Sequence, residues 1–567
     1  MSETRPLVRG TIGCVSSSNY MATTAGFAIL LAGGNAFDVA VATGFALLVV
    51  EPHMNSLGGE APALAYSAKH KKVFAFSGQG YAPRAATLSF FRDQGMQLMP
   101  GDGFLPATVP ATFDMLLTLL GDFGTMSLKE VTGPALRLAK EGFAVYPTLA
   151  GNIRAHAKLF ETEWPTTARV FVPNGKLPQV GDRLRQFDLA HSLHKLIQAE
   201  RRASGNRKKR LEAARDYFYR GPIAKRIVNF ISKKPVRDAT GKRHAGLIDL
   251  TDLAEFHTTI ETPVSIEYKG LRIHKCGPWS QGPVFLQQLR LLEGYDLHSL
   301  GHNTSNYIHL LTEASKLAFA DREQYYGDPA FTRVPMHRLL SRDYAARRRK
   351  LINPMKASLE LRPGTFAGRL STHGDTTHLD VADREGNMVS VTPSGGWIWG
   401  SPIIGDLGFA LSTRGQMFTL DGSHPNCIAP HKRPRTTLSP TLVTLHGRPL
   451  LAFGTPGGDQ QDQWTLQFFL NHVEFGMNLQ SAIDAPTFHN SHFPSSFYPK
   501  TAEPGALHLE GRISPAIVKE LRRKGHRVRV EGDWVNGRVT AVELNQHGGT
   551  ITAAASSRNQ TAYAIGV

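Results

Sequence analysis

Thr376 and Thr377 open the segment GDTTHLDVADREGNMVSVTPSGGW, residues 374 to 397, which returns through Thr392 to Ser394, Gly395 and Gly396. A threonine hydroxyl attacks an acyl carbon only when a base removes its proton. If the bond between Asp375 and Thr376 is cut, Thr376 gains a free α-amine. With a reference pKa of about 8, that amine can serve as the base for its own hydroxyl. The arrangement needs a hairpin. Runs rich in β-branched and apolar residues at 377–383 and 388–392 flank Arg384, Glu385, Gly386 and Asn387, where Gly386 tolerates positive φ. Pairing Asp383 with Met388 predicts Thr377 opposite Ser394 and Thr376 opposite Gly395, with the Ser394 hydroxyl one residue from the Thr376 position.

A second group lies in LLAFGTPGGDQQDQWTLQFFL, residues 450 to 470. A strand runs into Gly454–Gly458 and then a helix, so the backbone N–H groups of Gly457 and Gly458 become candidate donors to an oxyanion. His489 and His492 in FHNSHF do not have convincing metal-ligand spacing, and no metal or cofactor is expected.

The first 375 residues read mostly helical, with one helix over 305–327 ended by Gly327-Asp328-Pro329. Strand-like runs dominate after Thr376: HLDVA, MVSVT, PTLVTL, PLLAF, RVTAVEL and GTITAAA, with a helix at about 461–473. Helices and many short strands predict an α/β or α+β body of strand layers covered by helix layers. The apolar stretch 27–50 is broken at Gly33-Gly34-Asn35 and by Asp38, so it reads as two core helices, short of the roughly 20 apolar residues of a membrane span.

Hydrophobic residues at 41% and charged residues at 20% of 567 are those of a globular chain. Cys14, Cys276 and Cys427 are three and widely spaced, which predicts free thiols in a reducing compartment. The first residues, MSETRPLVRGTIGC, lack the build of an export signal, and a cytoplasmic location is expected. Of the net charge of +17, residues 201–243 carry +12, from fifteen Lys and Arg against Glu212, Asp216 and Asp238. That run predicts a solvated surface loop, with no specific nucleic-acid partner.

The quoted segments together resemble the γ-glutamyltranspeptidases, members of the N-terminal nucleophile hydrolase superfamily. TTHLDVADREGNMVSVT is similar to the start of their small subunit. Further matching segments are AGGNAFDVAVATGFAL, DYFYRGPIAKRI, GLIDLTDLAEF, AFADREQYYGDP, KRPRTTLSPTLV and FGTPGGDQQ. The resemblance implies a four-layer αββα sandwich and a proenzyme that cuts itself before Thr376. Its two regions, 1–375 and 376–567, would stay one interlocked domain. It also implies Thr376 as nucleophile, Ser394 in the place of a helper threonine, and Gly457 and Gly458 as the oxyanion hole.

The resemblance breaks at the substrate clamp. Where the family has the arginine that holds a glutamyl α-carboxylate, Gly78 stands in AFSGQGYAP; the amine-binding aspartate falls at Met417 in LSTRGQMF, and a pocket asparagine falls at Gly396. Thr436 and Thr437 replace two carboxylate-binding serines, and Thr392, Gly396 and Met417 join them as candidate substrate-binding residues. Trp397, Trp399, Met417 and Phe418 are the apolar residues that could line a pocket or fill a core. An unpaired buried charge is costly, so the expected activity is amide hydrolysis or acyl transfer on a small molecule other than glutathione. The alternatives are a true γ-glutamyl enzyme with a rebuilt clamp and an unprocessed, non-catalytic relative.

Overall fold

The computed structural model describes residues 3–364, 376–546, 548–558 and 560–567. Among them are two seven-stranded antiparallel sheets. The first runs in spatial order Tyr563–Gly566, Gly13–Ser17, Leu379–Asp383, Met388–Val391, Ala63–Ser67, Lys72–Phe76, Ile260–Glu261. The second runs Val8–Gly10, Ile551–Ala555, Thr540–Leu544, Arg448–Gly454, Thr441–Leu445, Leu271–Lys275, Val264–Tyr268. Each sheet therefore draws strands from both sides of Thr376.

Three apolar cores define the layers. Cys14, Leu64, Met388, Leu442, Ala452 and Val542 pack the two sheets face to face. The outer face of the first sheet packs on the helices Tyr20–Leu31 and Ala36–Val50. The outer face of the second packs on Gly282–Leu292 and Gln461–Val473, with Ser305–Tyr325 in the same core. This is the αββα sandwich of the N-terminal nucleophile hydrolases. Gly33, at φ 89°, makes the expected break between the first two helices, and Asn35 with Asp38 forms a capping box that starts the second. No described helix is long and apolar enough to cross a membrane. All three thiols are buried and free, and burial pushes Cys14 up to about 12, so its role is packing.

The basic segment corrects the expectation of a loop. It folds into the helices Arg207–Tyr219 and Pro222–Lys233. Leu211, Ala214 and Phe218 recur at helical spacing between the charges and are buried, as are Ile223, Ile227 and Ile231 on the next helix. Asn206 caps the first helix by accepting from Lys209 N at 3.0 Å, and Pro222 sits at the first turn of the second. Arg207 has a definite partner: its guanidinium donates to the carbonyls of Leu120, Gly121, Gly124 and Met126. It thus ties the last turn of the Thr112–Phe123 helix to the loop that follows it.

Candidate active site

The hairpin forms, with its register one residue from the expected one. Ala382, not Asp383, lies opposite Met388. The cause is the turn. Gly386 N donates to Asp383 O at 3.1 Å, Asp383 N donates to Asn387 O at 3.1 Å, and Gly386 has φ 84°. The loop is therefore Arg384, Glu385 and Gly386, and Asn387 belongs to the returning strand, where its N–H also meets Asp383 Oδ1 at 2.9 Å. A one-residue shift exchanges the faces of a strand. Here it sets Thr376 directly opposite Ser394, with their hydroxyl oxygens 3.3 Å apart.

Ser394 is held from behind by a residue that sequence reasoning missed. Arg414 donates from Nη2 to Ser394 Oγ at 2.6 Å and from Nε to Glu60 Oε1 at 2.5 Å. Its guanidinium lies 5.0 Å from the centre of the Trp397 ring, and Nη1 is 3.9 Å from Met417 Sδ. Glu60 is itself paired with Ser394 through the backbone, with Ser394 N donating to Glu60 O at 2.8 Å. Both charged side chains are fully buried. Burial pushes the Glu60 carboxyl up, and Arg414 with Ser412 opposes that without cancelling it. The available signal was a lone charge in an uncharged run: Arg414 is the only one in 407–420.

The other hydroxyls of the hairpin face away to separate partners. Thr377 Oγ1 and Ser18 Oγ both donate to Glu51 Oε2 at 2.6 Å. Thr392 Oγ1 bonds His378 Nδ1 at 2.9 Å, and His378 Nε2 meets Asp380 Oδ1 at 3.1 Å. Thr392 thus fixes a buried histidine, whereas the sequence suggested a substrate contact. Asp375, the expected source of the cleaved carbonyl, lies outside the described residues.

The glycine turn arrives beside this hairpin because Gly454, the last residue of its strand, lies against the His378 ring with no room for a Cβ. Gly457 and Gly458 have φ of 127° and 56°, conformations that favour glycine, and a Cβ on Gly457 would run into the Trp464 ring. The next residue anchors the turn. The Asp459 carboxylate bonds the Arg322 guanidinium, Ser496 N at 2.9 Å and Ser496 Oγ at 2.7 Å. Burial would raise the Asp459 carboxyl, and Arg322 and Ser496 overcome that and hold it below the usual carboxylate range. A cavity of about 500 Å³ opens at the turn, lined by Gly457, Gln460, Trp464, Trp399, His156 and His489 among others.

The remaining candidates are dispersed. Thr436 and Thr437 are buried; Thr436 N donates to Trp279 O, and the Thr437 hydroxyl has no hydrogen-bond partner among the described residues. Gly396, at φ 65°, lies against Ser56 and lines a different, small cavity. Trp397 and Met417 pack together with Phe497, Phe418 belongs to another core with Phe91 and Met99, and only Trp399 of the four faces the cavity.

The γ-glutamyltranspeptidase family model matches residues 22–566. The chain belongs to the γ-glutamyltranspeptidase family. Among its relatives, the glutathione hydrolase-like YwrD proenzyme of Bacillus subtilis is 32% identical over 547 residues, 95% of this chain and 96% of that one. The solved structure of LmbA2991 aligns over 100% of both chains at TM-score 0.96 and 44% identity. Cephalosporin acylase from Bacillus halodurans aligns over 100% of this chain and 98% of its own, at TM-score 0.87 and 30% identity. This γ-glutamyltranspeptidase relative is accordingly an N-terminal nucleophile amidohydrolase or acyltransferase, of a family whose members are self-processing proenzymes.

Proposed function

We propose that the chain cuts itself before Thr376 and then uses the Thr376 hydroxyl to form an acyl-enzyme from an amide whose acyl part lacks a glutamyl ammonium group. The Thr376 α-amine is the base, Ser394 orients the hydroxyl, and the N–H groups of Gly457 and Gly458 receive the oxyanion. The reading of the substrate rests on one observation, the contact of Arg414 with both Ser394 and Met417. Met417 offers a thioether where the family resemblance puts an amine-binding carboxylate. The Glu60 carboxylate that Arg414 holds is committed to that ion pair, which is internally neutral and gives an incoming ammonium no counter-charge.

Steady-state kinetics on three anilides test the reading. Replacing a γ-glutamyl group by glutaryl removes only the ammonium, and replacing glutaryl by butyryl removes the carboxylate. We expect kcat/KM for glutaryl to exceed that for γ-glutamyl by about 10-fold or more, the equivalent of 1.4 kcal/mol. A preference for the γ-glutamyl anilide would refute the substrate assignment. Ser394→Ala should slow turnover on the best anilide by about 10-fold to 100-fold, the value of one orienting hydrogen bond of about 1.5 to 3 kcal/mol. Unchanged turnover would remove Ser394 from the mechanism.

A further inference from the structure

The cavity at the glycine turn has a wall that the proposed reaction does not use. A three-stranded sheet brings together Phe488–Asn490, Ala506–Glu510 and Arg527–Glu531. His489 pairs with His508 across the first two strands, and Glu531 ends the third. The two imidazole rings lie parallel, 4.6 Å between centres and 5° between planes. His508 Nδ1 meets Glu531 Oε1 at 2.8 Å, and one nitrogen or oxygen from each of the three residues lies within 4.8 Å of the others. All three side chains line the cavity that also touches Gly457.

Two imidazoles and one carboxylate form a borderline donor set suited to Zn²⁺, and three protein ligands facing open space leave a fourth coordination position. The second nitrogen of His508 is also provided for. Nε2 lies 3.1 Å from Ser491 Oγ, which donates to Glu503 Oε2 at 2.9 Å. With its proton on Nε2, His508 can donate to Ser491 and turn the Nδ1 lone pair toward a metal, the outer hydrogen bond that metal-bound histidines generally make. Of the nearby cations, Arg529 is neutralised by Glu503 at 2.8 and 2.7 Å, and Arg538 shares the cavity wall.

A second cluster, His309, Glu313 and His526, provides the contrast. There Glu313 already bridges Lys316 at 2.6 Å and Arg362 at 3.0 Å, and His309 Nε2 bonds Asn353 O at 2.8 Å. A metal ion would have to displace the Lys316 ammonium and the Arg362 guanidinium from Glu313, so that cluster is a satisfied core network.

We propose that His489, His508 and Glu531 bind one divalent transition-metal ion of the Zn²⁺ class, with its open position toward the cavity beside Gly457. The test uses the purified full-length protein, stripped with a chelator and titrated with Co²⁺ as the spectroscopic probe, then with Zn²⁺ as competitor. We expect one equivalent of Co²⁺ with a visible d–d absorption that Zn²⁺ abolishes. Glu531→Gln, at a partly exposed position that should not disturb folding, should weaken binding at least about 10-fold, as should His508→Gln. His194→Ala, at an exposed helix position, should leave binding as in the wild type and so controls for surface histidines. Absence of stoichiometric binding would overturn the site, and so would binding that survives unchanged in both Glu531→Gln and His508→Gln with circular dichroism intact.

Discussion

Thr376→Ala is expected to remain a single chain of 62.1 kDa and to lose amide turnover by on the order of 10⁴-fold or more, the scale on which removal of a nucleophile acts. The wild type should give two fragments, 1–375 and 376–567, the smaller with threonine at its new N-terminus. Before cleavage Thr376 has no free amine, so its hydroxyl must first attack the carbonyl of Asp375. The C–N bond breaks as the ester forms, and water then releases the carboxyl of Asp375 and restores the hydroxyl. The same oxygen thus serves both reactions, and its loss should abolish both. Thr376→Ser retains a hydroxyl and should still process, more slowly. Thr377→Ala is the sharper control, because the Thr377 hydroxyl is committed to Glu51. Intact-mass spectrometry of the three variants decides: fragments from Thr376→Ala, or an intact Thr377→Ala chain beside a processed Thr376→Ala chain, would reject the nucleophile.

What could be read in advance divides along the distance between interacting residues. The hairpin, the glycine turn before a helix and the six strand runs after Thr376 are local patterns of turn chemistry and alternation, and each has a counterpart in the structure. The register slipped by one because a type of loop, not a composition, decides whether Asn387 turns or pairs. Strands in the first 375 residues were hidden by their company. ALAYS at 63–67 contains no β-branched residue, and it is a strand only because Met388–Val391 and Lys72–Phe76 flank it. The Arg414 and Glu60 pair spans 354 positions, and no periodicity marks such a partnership. The basic segment failed for the opposite reason: its charges dominated the composition, while its burial rests on a few apolar residues at helical spacing.

Arg414→Ala should be the most destabilising change near the site. It removes one partner of an ion pair in which neither side chain is exposed, leaving Glu60 buried without its guanidinium. Breaking such a pair from one side costs about 3 to 5 kcal/mol. The expected readout is a lower denaturant midpoint at unchanged m-value. The pH dependence has a definite sign. Without Arg414 the folded-state pKa of Glu60, already raised by burial, rises further above its unfolded value. The native state then holds a proton that the unfolded chain releases, so stability falls as pH rises through that window and the deficit shrinks on acidification toward the usual carboxylate range. Glu60→Gln combined with Arg414→Met removes both charges and should recover most of the stability. Turnover should not recover with it, because Ser394 Oγ still lacks the Nη2 donor that holds it at 2.6 Å. A double variant that regains both stability and full kcat would reduce Arg414 to a packing residue, and an unchanged denaturant midpoint in Arg414→Ala would mean that Glu60 is not ionised in the native protein.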